Sequence, residues 1–412
     1  MLRLPLAKGN PLIRELSPEL ELAIACCRFP PGVATSEAIA AALAKPLNWP
    51  DFLKILRRHR IVSLANFNLA RSGHDIPADV RTTLAAAARD CATTDLVHAA
   101  ETARLQREFD GAGLPALFLK GATTGVLAYG ALGVKQSWDI DLLTTEPNMM
   151  DAMELLQRRG YRLVSPAGLS PAALARFARF YHEAQLRDDR GITVELHWRL
   201  FTKPVMPGVS ALSETQVVRL GDCDVRTLRD DLLIVFLIGH GQEHGWSRLK
   251  WLADLNAMLA RGSVERIEGV YGAASALGLG QEASAALLLC ARLFELALPL
   301  DLAKRWQNAS EVQRLVAVNL DCIAHPMGGS DLPSISRTGL ALLASRFRTG
   351  KGWKYLLGEL RSMWTQPIVR AKYPAVLDSV YHALRVPTLI LRLPFMLLRL
   401  RSAAVADHRR ER

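Results

Sequence analysis

Lys135-Gln136-Ser137-Trp138-Asp139-Ile140-Asp141-Leu142-Leu143 sets two carboxylates in alternation with bulky apolar side chains. Alternation of this kind is strand patterning, so Asp139 and Asp141 are expected to point the same way, roughly 7 Å apart along the strand. Trp138, Ile140 and Leu142 then face a core while both acids face an opening. Carboxylates so placed repel one another unless a divalent cation lies between them, and such cations serve phosphoryl-transfer chemistry. Surface strands also carry two acids by chance, so the flanking sequence has to decide.

Upstream, Leu114-Pro115-Ala116-Leu117-Phe118-Leu119 reads as a short buried strand, followed by Lys120-Gly121-Ala122-Thr123-Thr124 and an apolar helical stretch through Leu127 and Ala128. Strand, glycine turn and helix start make a phosphate cradle: free backbone N–H groups attract anions, and glycine permits close approach. Lys120 adds a cation. Downstream, Gly191-Ile192-Thr193-Val194-Glu195-Leu196-His197-Trp198 alternates again. Ile192, Val194, Leu196 and Trp198 take the buried face, leaving Thr193, Glu195 and His197 on the other. Glu195 is thus a candidate third carboxylate, and His197 shares its face.

Taken in this order, these residues resemble the DNA polymerase β-like nucleotidyltransferase superfamily and, more narrowly, a bacterial family of uncharacterised nucleotidyltransferases. The narrower resemblance extends to His240-Gly241-Gln242-Glu243-His244-Gly245-Trp246-Ser247-Arg248-Leu249-Lys250-Trp251-Leu252-Ala253-Asp254-Leu255 and to the helix-like run from Trp49 to Arg60, so that it spans residues 45 to 260. It implies an α+β fold, with a small mixed-sheet nucleotidyltransferase core flanked by N-terminal and C-terminal helical regions. It also implies metal-dependent transfer of an NMP from an NTP such as ATP to an acceptor, with pyrophosphate release. Asp139, Asp141 and Glu195 would be the catalytic residues and would hold Mg²⁺ (or Mn²⁺), with Glu195 doubling as general base. Lys120, Gly121, Ala122, Thr123 and Lys135 would bind the nucleotide. The acceptor implied is a peptide, sugar or carrier.

Two positions depart from the superfamily pattern. Ala122 stands where a serine is usual, so Thr123 or Thr124 would have to supply any hydroxyl. Lys135 stands where related sequences tend to carry arginine, which keeps the charge but loses the bidentate fork. Both departures suit a rival reading, a catalytically silent nucleotide-binding or scaffold protein of the same fold. The intact acid triplet speaks for the enzyme.

His240 and His244 are spaced as a zinc pair on one helix, but Gly241 follows the first histidine where a metalloprotease needs its acid. The resemblance instead sets this helix beside the carboxylates, where His240, His244 and Arg248 are candidate pocket residues and Lys250 adds charge. The structural alternative is that Trp246, Trp251 and Leu252 pack the helix while the histidines satisfy buried polar groups.

Elsewhere the chain divides into an Ala- and Leu-rich helical region over 1–95, a mixed core over 96–230 and a second helical region over 231–412 with a basic tail. A helix is expected over 94–110, then a helix at 148–159, a strand at 161–164, a helix at 171–180, and a hairpin of 217–220 with 223–228 turning at Gly221-Asp222. Gly328, Gly329, Ser330 and Pro333 mark a loop.

Six cysteines without metal or disulfide spacing fit free buried thiols in a reducing compartment. No signal-peptide-like apolar run opens the sequence, and a cytoplasmic location is expected. The net charge of +11, concentrated after residue 333, suits an anionic partner. It leaves an RNA-modifying enzyme open as a further reading, although no aromatic-rich RNA-recognition motif accompanies it. Leu232-Leu233-Ile234-Val235-Phe236-Leu237-Ile238 is too short to span a bilayer. The arginine-containing apolar stretch 386–401 suits a helix that caps the domain core or pairs with another subunit, with weak peripheral membrane contact as the lesser reading and a transmembrane helix disfavoured.

Overall fold

Capping chemistry sets the first helices of the chain. Ser17 caps α1 (Pro18–Ala25), its hydroxyl accepting the Leu20 N–H at 3.2 Å. After α2 (Val33–Leu43), Asn48 caps α3 (Trp49–His59) in the same way. Pro18 and Pro50 occupy first-turn positions where no N–H is needed. In α3, Phe52, Leu56 and His59 form one buried stripe at helical spacing. Then follow α4 (Val62–Ser72) and α5 (Ala78–Gly111). The helix expected over 94–110 is the second half of α5, a continuous element of 34 residues. The alanine-rich run from Leu84 to Ala88 favours helix and supplies no stop before it.

The described residues are 16–201, 206, 212–325, 337–346, 352–365, 370, 375–377 and 380–381, in a computed structural model. The loop around Gly328 and Pro333 and the stretch 386–401 lie outside them. The mixed region runs β1 (Leu117–Phe118), α6 (Ala122–Tyr129), β2 (Ile140–Leu143), α7 (Met149–Arg158), β3 (Arg162–Ser165), α8 (Pro171–Ala178), β4 (Glu183–Arg187), β5 (Thr193–His197), β6 (Thr215–Leu220) and β7 (Cys223–Leu228). Helices follow: α9 (Asp230–Glu243), α10 (Leu249–Leu259), α11 (Val264–Ala276), α12 (Gly280–Phe294), α13 (Leu300–Asn308), α14 (Ser310–Ala324), α15 (Arg337–Arg346) and α16 (Gly352–Thr365). The fold is α+β, as the sequence implied.

Five strands form one sheet in the order β1-β2-β5-β4-β3, and β6 with β7 form the expected hairpin. Only the β2–β5 pair is parallel. One face of the sheet, with Ile140, Leu142, Ala184, Leu186, Val194 and Leu196, packs into a core with the second half of α5, α7 and α8. A separate core joins α1–α4 and the start of α5 to α9–α14, so the two helical regions make one body. Leu117, Leu119 and Leu143 of the sheet region point into that helical core. Helix α9 is buried on all sides between Leu232 and Gly239, as a helix apolar all round must be.

Trp138 departs from its expected core position. The strand begins only at Ile140, and Trp138 is 55% exposed, with the Arg60 guanidinium 4.6 Å from its ring centre. The preceding residue explains this, because the Ser137 N–H donates to the buried Asp95 carboxylate of α5 at 2.8 Å and holds the approach to β2 as a loop. All six cysteines are free, and five are buried. No helix among the described residues is long and apolar enough to cross a membrane.

Two α3 residues tie the early helices to the late ones. Arg58 donates to the backbone carbonyls of Cys322 and His325 at 3.1 and 2.6 Å. His59 Nδ1 accepts the Leu249 N–H at the start of α10, 3.0 Å away. Burial, assisted by Arg58 and Arg248, pushes the His59 pKa down to about 3, so the ring is a neutral acceptor. In the unfolded chain it titrates near 6.5, and between those values the unfolded state binds the extra proton. The stability this histidine contributes is therefore complete above about pH 6.5 and is lost as pH falls toward 3, with a slope of at most about 1.4 kcal/mol per pH unit. In denaturant melts, wild type should lose stability over this window faster than His59→Asn, which keeps an acceptor near Nδ1 but does not titrate. Parallel pH profiles for the two proteins would contradict this assignment.

Candidate active site

The register of β2 and β5 sets Asp141 opposite Glu195 and Leu143 opposite His197. On the other side of β5, Gln185 stands opposite Glu195 and Glu183 opposite His197. Because side chains alternate, Asp141, Glu195, His197, Glu183 and Gln185 all rise from the sheet face turned toward the helical body. His197 is central: Nε2 lies 3.4 Å from Asp141 Oδ1 and 3.9 Å from Glu195 Oε2, and Nδ1 lies 3.3 Å from Glu183 Oε2. Gln185 donates to Glu195 Oε1 at 2.8 Å, and His182 Nε2 is 3.3 Å from Glu183 Oε2.

Two sets of three side chains bring ligand atoms within 4.8 Å of one another among the described residues: Asp141, Glu195 and His197, and His182, Glu183 and His197. Asp139, expected to complete a carboxylate triplet, belongs to neither set. It precedes β2 in the loop held by Asp95 and acts on the cluster through its charge. The expected opening is a recess: Asp141 is 1% exposed, and His197 is 4% exposed.

Packing four carboxylates so closely sets their ionisation. Burial and the charges of Asp139, Asp141 and Glu183 push Glu195 up to about 8. Burial and Asp141 likewise raise Asp139. Burial would also raise Asp141 and Glu183, but cationic neighbours outweigh it. Lys120 and His197 hold Asp141 well below the usual carboxylate range, and His182 and His197 bring Glu183 down to about 2. Desolvation opposes the charge on Lys120 and His197, yet the surrounding acids keep both pKa values raised.

Lys120 Nζ lies 2.7 Å from Asp141 Oδ1 and 3.4 Å from His240 Nε2. His240 is driven well below its ordinary pKa by burial and by Lys120, so it meets the ammonium as a neutral ring. His240 also packs edge-on to Trp251 and lies 4.8 Å from His244, ring centre to ring centre. Thus His240 is the histidine of this helix that reaches the site, while His244 continues the aromatic row. Arg248 caps α10 with its guanidinium 5.9 Å from the Trp251 ring. Gly241, which broke the metalloprotease pattern, has a packing reason: a Cβ there would come within 2.5 Å of the Trp246 indole.

Gly121 has φ +71°, a conformation natural to glycine, and Ala122 opens α6. The first backbone bond of this turn runs from the Gly125 N–H to the Gly121 carbonyl, so the N–H groups of 122–124 are the helix-start donors. Thr123, however, turns its hydroxyl inward onto the carbonyls of Phe118 and Lys120, each at 3.1 Å. Thr124 Oγ1 is buried without a hydrogen-bond partner among the described residues. Lys135 does not reach into the recess: its ammonium pairs with buried Asp254 of α10, which also accepts from the Tyr129 hydroxyl at 2.9 Å. Lys250 is the further buried cation, brought down to about 8 by burial and by Lys135 while Asp139 acts in the opposite direction.

Glu183 and His182 were missed in the sequence. The alternation Glu183-Ala184-Gln185-Leu186 was available, but alanine is a weak strand signal and the run follows a helix directly. Asp95 gave no signal, since its role is a contact with a loop far along the chain. The donor set suits a divalent cation. Asp141 Oδ1 and both ring nitrogens of His197 are buried without an aligned hydrogen bond, although oppositely charged groups lie close. Buried polar atoms are costly in that state.

The chain belongs to a family described as uncharacterised nucleotidyltransferases, whose profile matches residues 45–295. The match thus runs on through α12. Among solved structures, the chain is similar to an antigenic nucleotidyltransferase-like protein from Paracoccidioides brasiliensis. The two share 15% identity with a TM-score of 0.29, over 50% of this chain and 94% of that one. No curated protein matches it.

The Lys135–Asp254 pair is 8% and 4% exposed at its two side chains. Removing one partner of a buried pair leaves an uncompensated charge and costs about 3–5 kcal/mol. Lys135→Met should therefore destabilise the protein on that scale in urea melts, and Lys135→Met with Asp254→Leu should recover much of the loss. A Lys135→Met protein of wild-type stability with weakened NTP binding would instead make Lys135 a phosphate ligand.

Proposed function

We propose that the protein transfers a nucleoside monophosphate from an NTP to an acceptor hydroxyl and releases pyrophosphate. The observation that carries this reading is the pairing of Asp141 with Glu195 on adjacent parallel strands, beside buried donor atoms that make no aligned hydrogen bond. In this reading Asp139, Asp141 and Glu195 hold Mg²⁺ or Mn²⁺. The bound cation supplies Lewis-acid polarisation of phosphate oxygens and lowers the pKa of the acceptor hydroxyl. Catalysis is then mainly positioning and electrostatics, because the developing charge sits on phosphate oxygens.

The chain's own residues divide the remaining work. Glu195, beside the cation, is assigned to take the acceptor proton. The Gly121–Ala122 turn offers backbone N–H groups to phosphate oxygens. Lys120, freed from Asp141, turns its ammonium to the same oxygens, and neutral His240 supports it from behind. Lys250 adds a second cation near Asp139. We take 96–230 as the catalytic core, with 1–95 and 231–412 as flanking helical regions, and assign the protein to the cytoplasm on its free thiols. A peptide, sugar or carrier is the proposed acceptor class.

One observation favours a second reading, a catalytically silent member of the same fold. Lys120 already neutralises Asp141, so the site can be stable with no cation and no nucleotide. Two measurements separate the readings. With a panel of α-labelled NTPs, divalent cations and candidate acceptors, wild type should transfer label, whereas Asp141→Asn and Glu195→Gln should lower transfer at least about a hundredfold. Absence of transfer by wild type across the panel would support the silent reading.

Lys120→Met should have opposite effects on cation affinity and turnover. Without the ammonium on Asp141, cation binding should tighten by roughly 1–3 kcal/mol, the worth of a charged contact that no longer has to be broken. Transfer should fall nonetheless, because the phosphate partner is lost. Calorimetry of cation binding alongside label transfer checks both signs, and unchanged cation affinity would remove Lys120 from the site's resting state.

A further inference from the structure

We propose that His197 is itself a metal ligand. Asp141 Oδ1, Glu195 Oε2 and His197 Nε2 would form a mixed oxygen–nitrogen site for a first-row transition cation such as Mn²⁺, and Glu183 would orient the imidazole. This rests on the metal-dependent reading of the same site and specifies which cation the site takes.

The His197 side chain is 5% exposed, and neither ring nitrogen makes an aligned hydrogen bond. Both nitrogens instead face carboxylates, so a cation at Nε2 would take the place of a proton there. Nε2 is aimed between two carboxylates, 3.4 Å from Asp141 Oδ1 and 3.9 Å from Glu195 Oε2, and the three atoms lie within 4.8 Å of one another. Ligand bonds of about 2.0–2.2 Å place donors on one ion roughly 3 to 4.4 Å apart, a range these atoms reach with small movements.

The neighbouring strand selects which atoms remain free. A neutral imidazole offers one lone pair, and the partner of the other nitrogen decides which. Glu183, opposite His197 in the β4–β5 ladder, sets a carboxylate 3.3 Å from Nδ1. A proton on Nδ1 then faces Glu183, and the lone pair is at Nε2, the arrangement by which a carboxylate behind a ligating histidine fixes its tautomer. Gln185 does the matching task one register step away: it donates to Glu195 Oε1 and leaves Oε2, the oxygen facing His197, uncommitted.

Imidazole nitrogen suits transition cations, whereas Mg²⁺ takes oxygen ligands in near-octahedral geometry. The His182–Glu183–His197 set is the competing arrangement. It would use Nδ1, so the single lone pair of a neutral ring excludes serving both. Nε2 faces two carboxylates and Nδ1 one, which favours the Asp141–Glu195 side.

The test is titration of the full chain with MnCl₂ at neutral pH, followed by electron paramagnetic resonance, with pulsed measurement of ¹⁴N coupling to the bound ion. Competition by MgCl₂ gives the ratio of affinities, and far-UV circular dichroism confirms that each variant is folded. Wild type should bind Mn²⁺ with coupling to one imidazole nitrogen and should prefer it to Mg²⁺ by at least roughly tenfold. His197→Gln should abolish the coupling and bring the two affinities together. Glu183→Gln should keep the coupling and weaken Mn²⁺ binding by roughly 10–100-fold, while His182→Ala should change neither. Bound Mn²⁺ without nitrogen coupling would overturn this proposal and leave the carboxylate-based reading standing. Failure of wild type to bind any divalent cation would remove both. Loss of the coupled signal in His182→Ala would place the ion on the Glu183 side and overturn the assignment.

Discussion

Asp141 and Glu195 are held side by side by backbone hydrogen bonds of a parallel ladder, and neither can move away without breaking the sheet. Two like charges in a recess would oppose folding, and the surroundings answer that repulsion. Lys120 pairs with Asp141, His197 stands between Asp141 and Glu183, and Glu195 is displaced toward its protonated form. The site is a compromise in which an internal ammonium and an imidazole offset part of the carboxylate charge.

Position follows from packing on a larger scale. The apolar face of the sheet is committed to the core with α7 and α8, so the polar face can only look toward the helical body. Buried Asp254 on α10 gathers Lys135 and the Tyr129 hydroxyl, which fixes that body against the sheet region. His240 then arrives beside Lys120 at the end of the apolar run of α9 from Leu232 to Gly239. The recess is a seam between two cores, a common place for ligand sites.

The strand carrying Glu195 was legible because Ile192, Val194, Leu196 and Trp198 alternate cleanly and are all buried. The glycine turn was legible because strand, Gly121 and helix follow one another without interruption. For Lys135 the sequence gives the charge and the distance from Asp139, but not the acid 119 residues later with which it pairs. Trp138 was misplaced for a similar reason. Alternation predicts a face only where the backbone is extended, and the Asp95 contact bends the chain before the strand begins. Glu183 was hidden because its strand is signalled by alanine and leucine alone. Local patterns were readable; what depended on contacts between distant segments was not.

The helical core that encloses α1–α4 is completed by α9–α14, and this ordering has a consequence for biosynthesis. On a ribosome adding roughly 5–20 residues per second, the chain between the end of α4 at Ser72 and the start of α9 at Asp230 takes about ten to thirty seconds to emerge. Throughout that interval Phe52, Leu56, Leu64 and Leu69 can meet α1–α5 but not the later helices that complete their core. The long α5 can form early from local contacts, but the helices before it must remain apolar and incompletely covered while the sheet is made. Nascent chains of this protein are therefore expected to be clients of chaperones that shield exposed apolar helices, and synonymous changes that slow translation across the sheet region should lower the yield of folded protein.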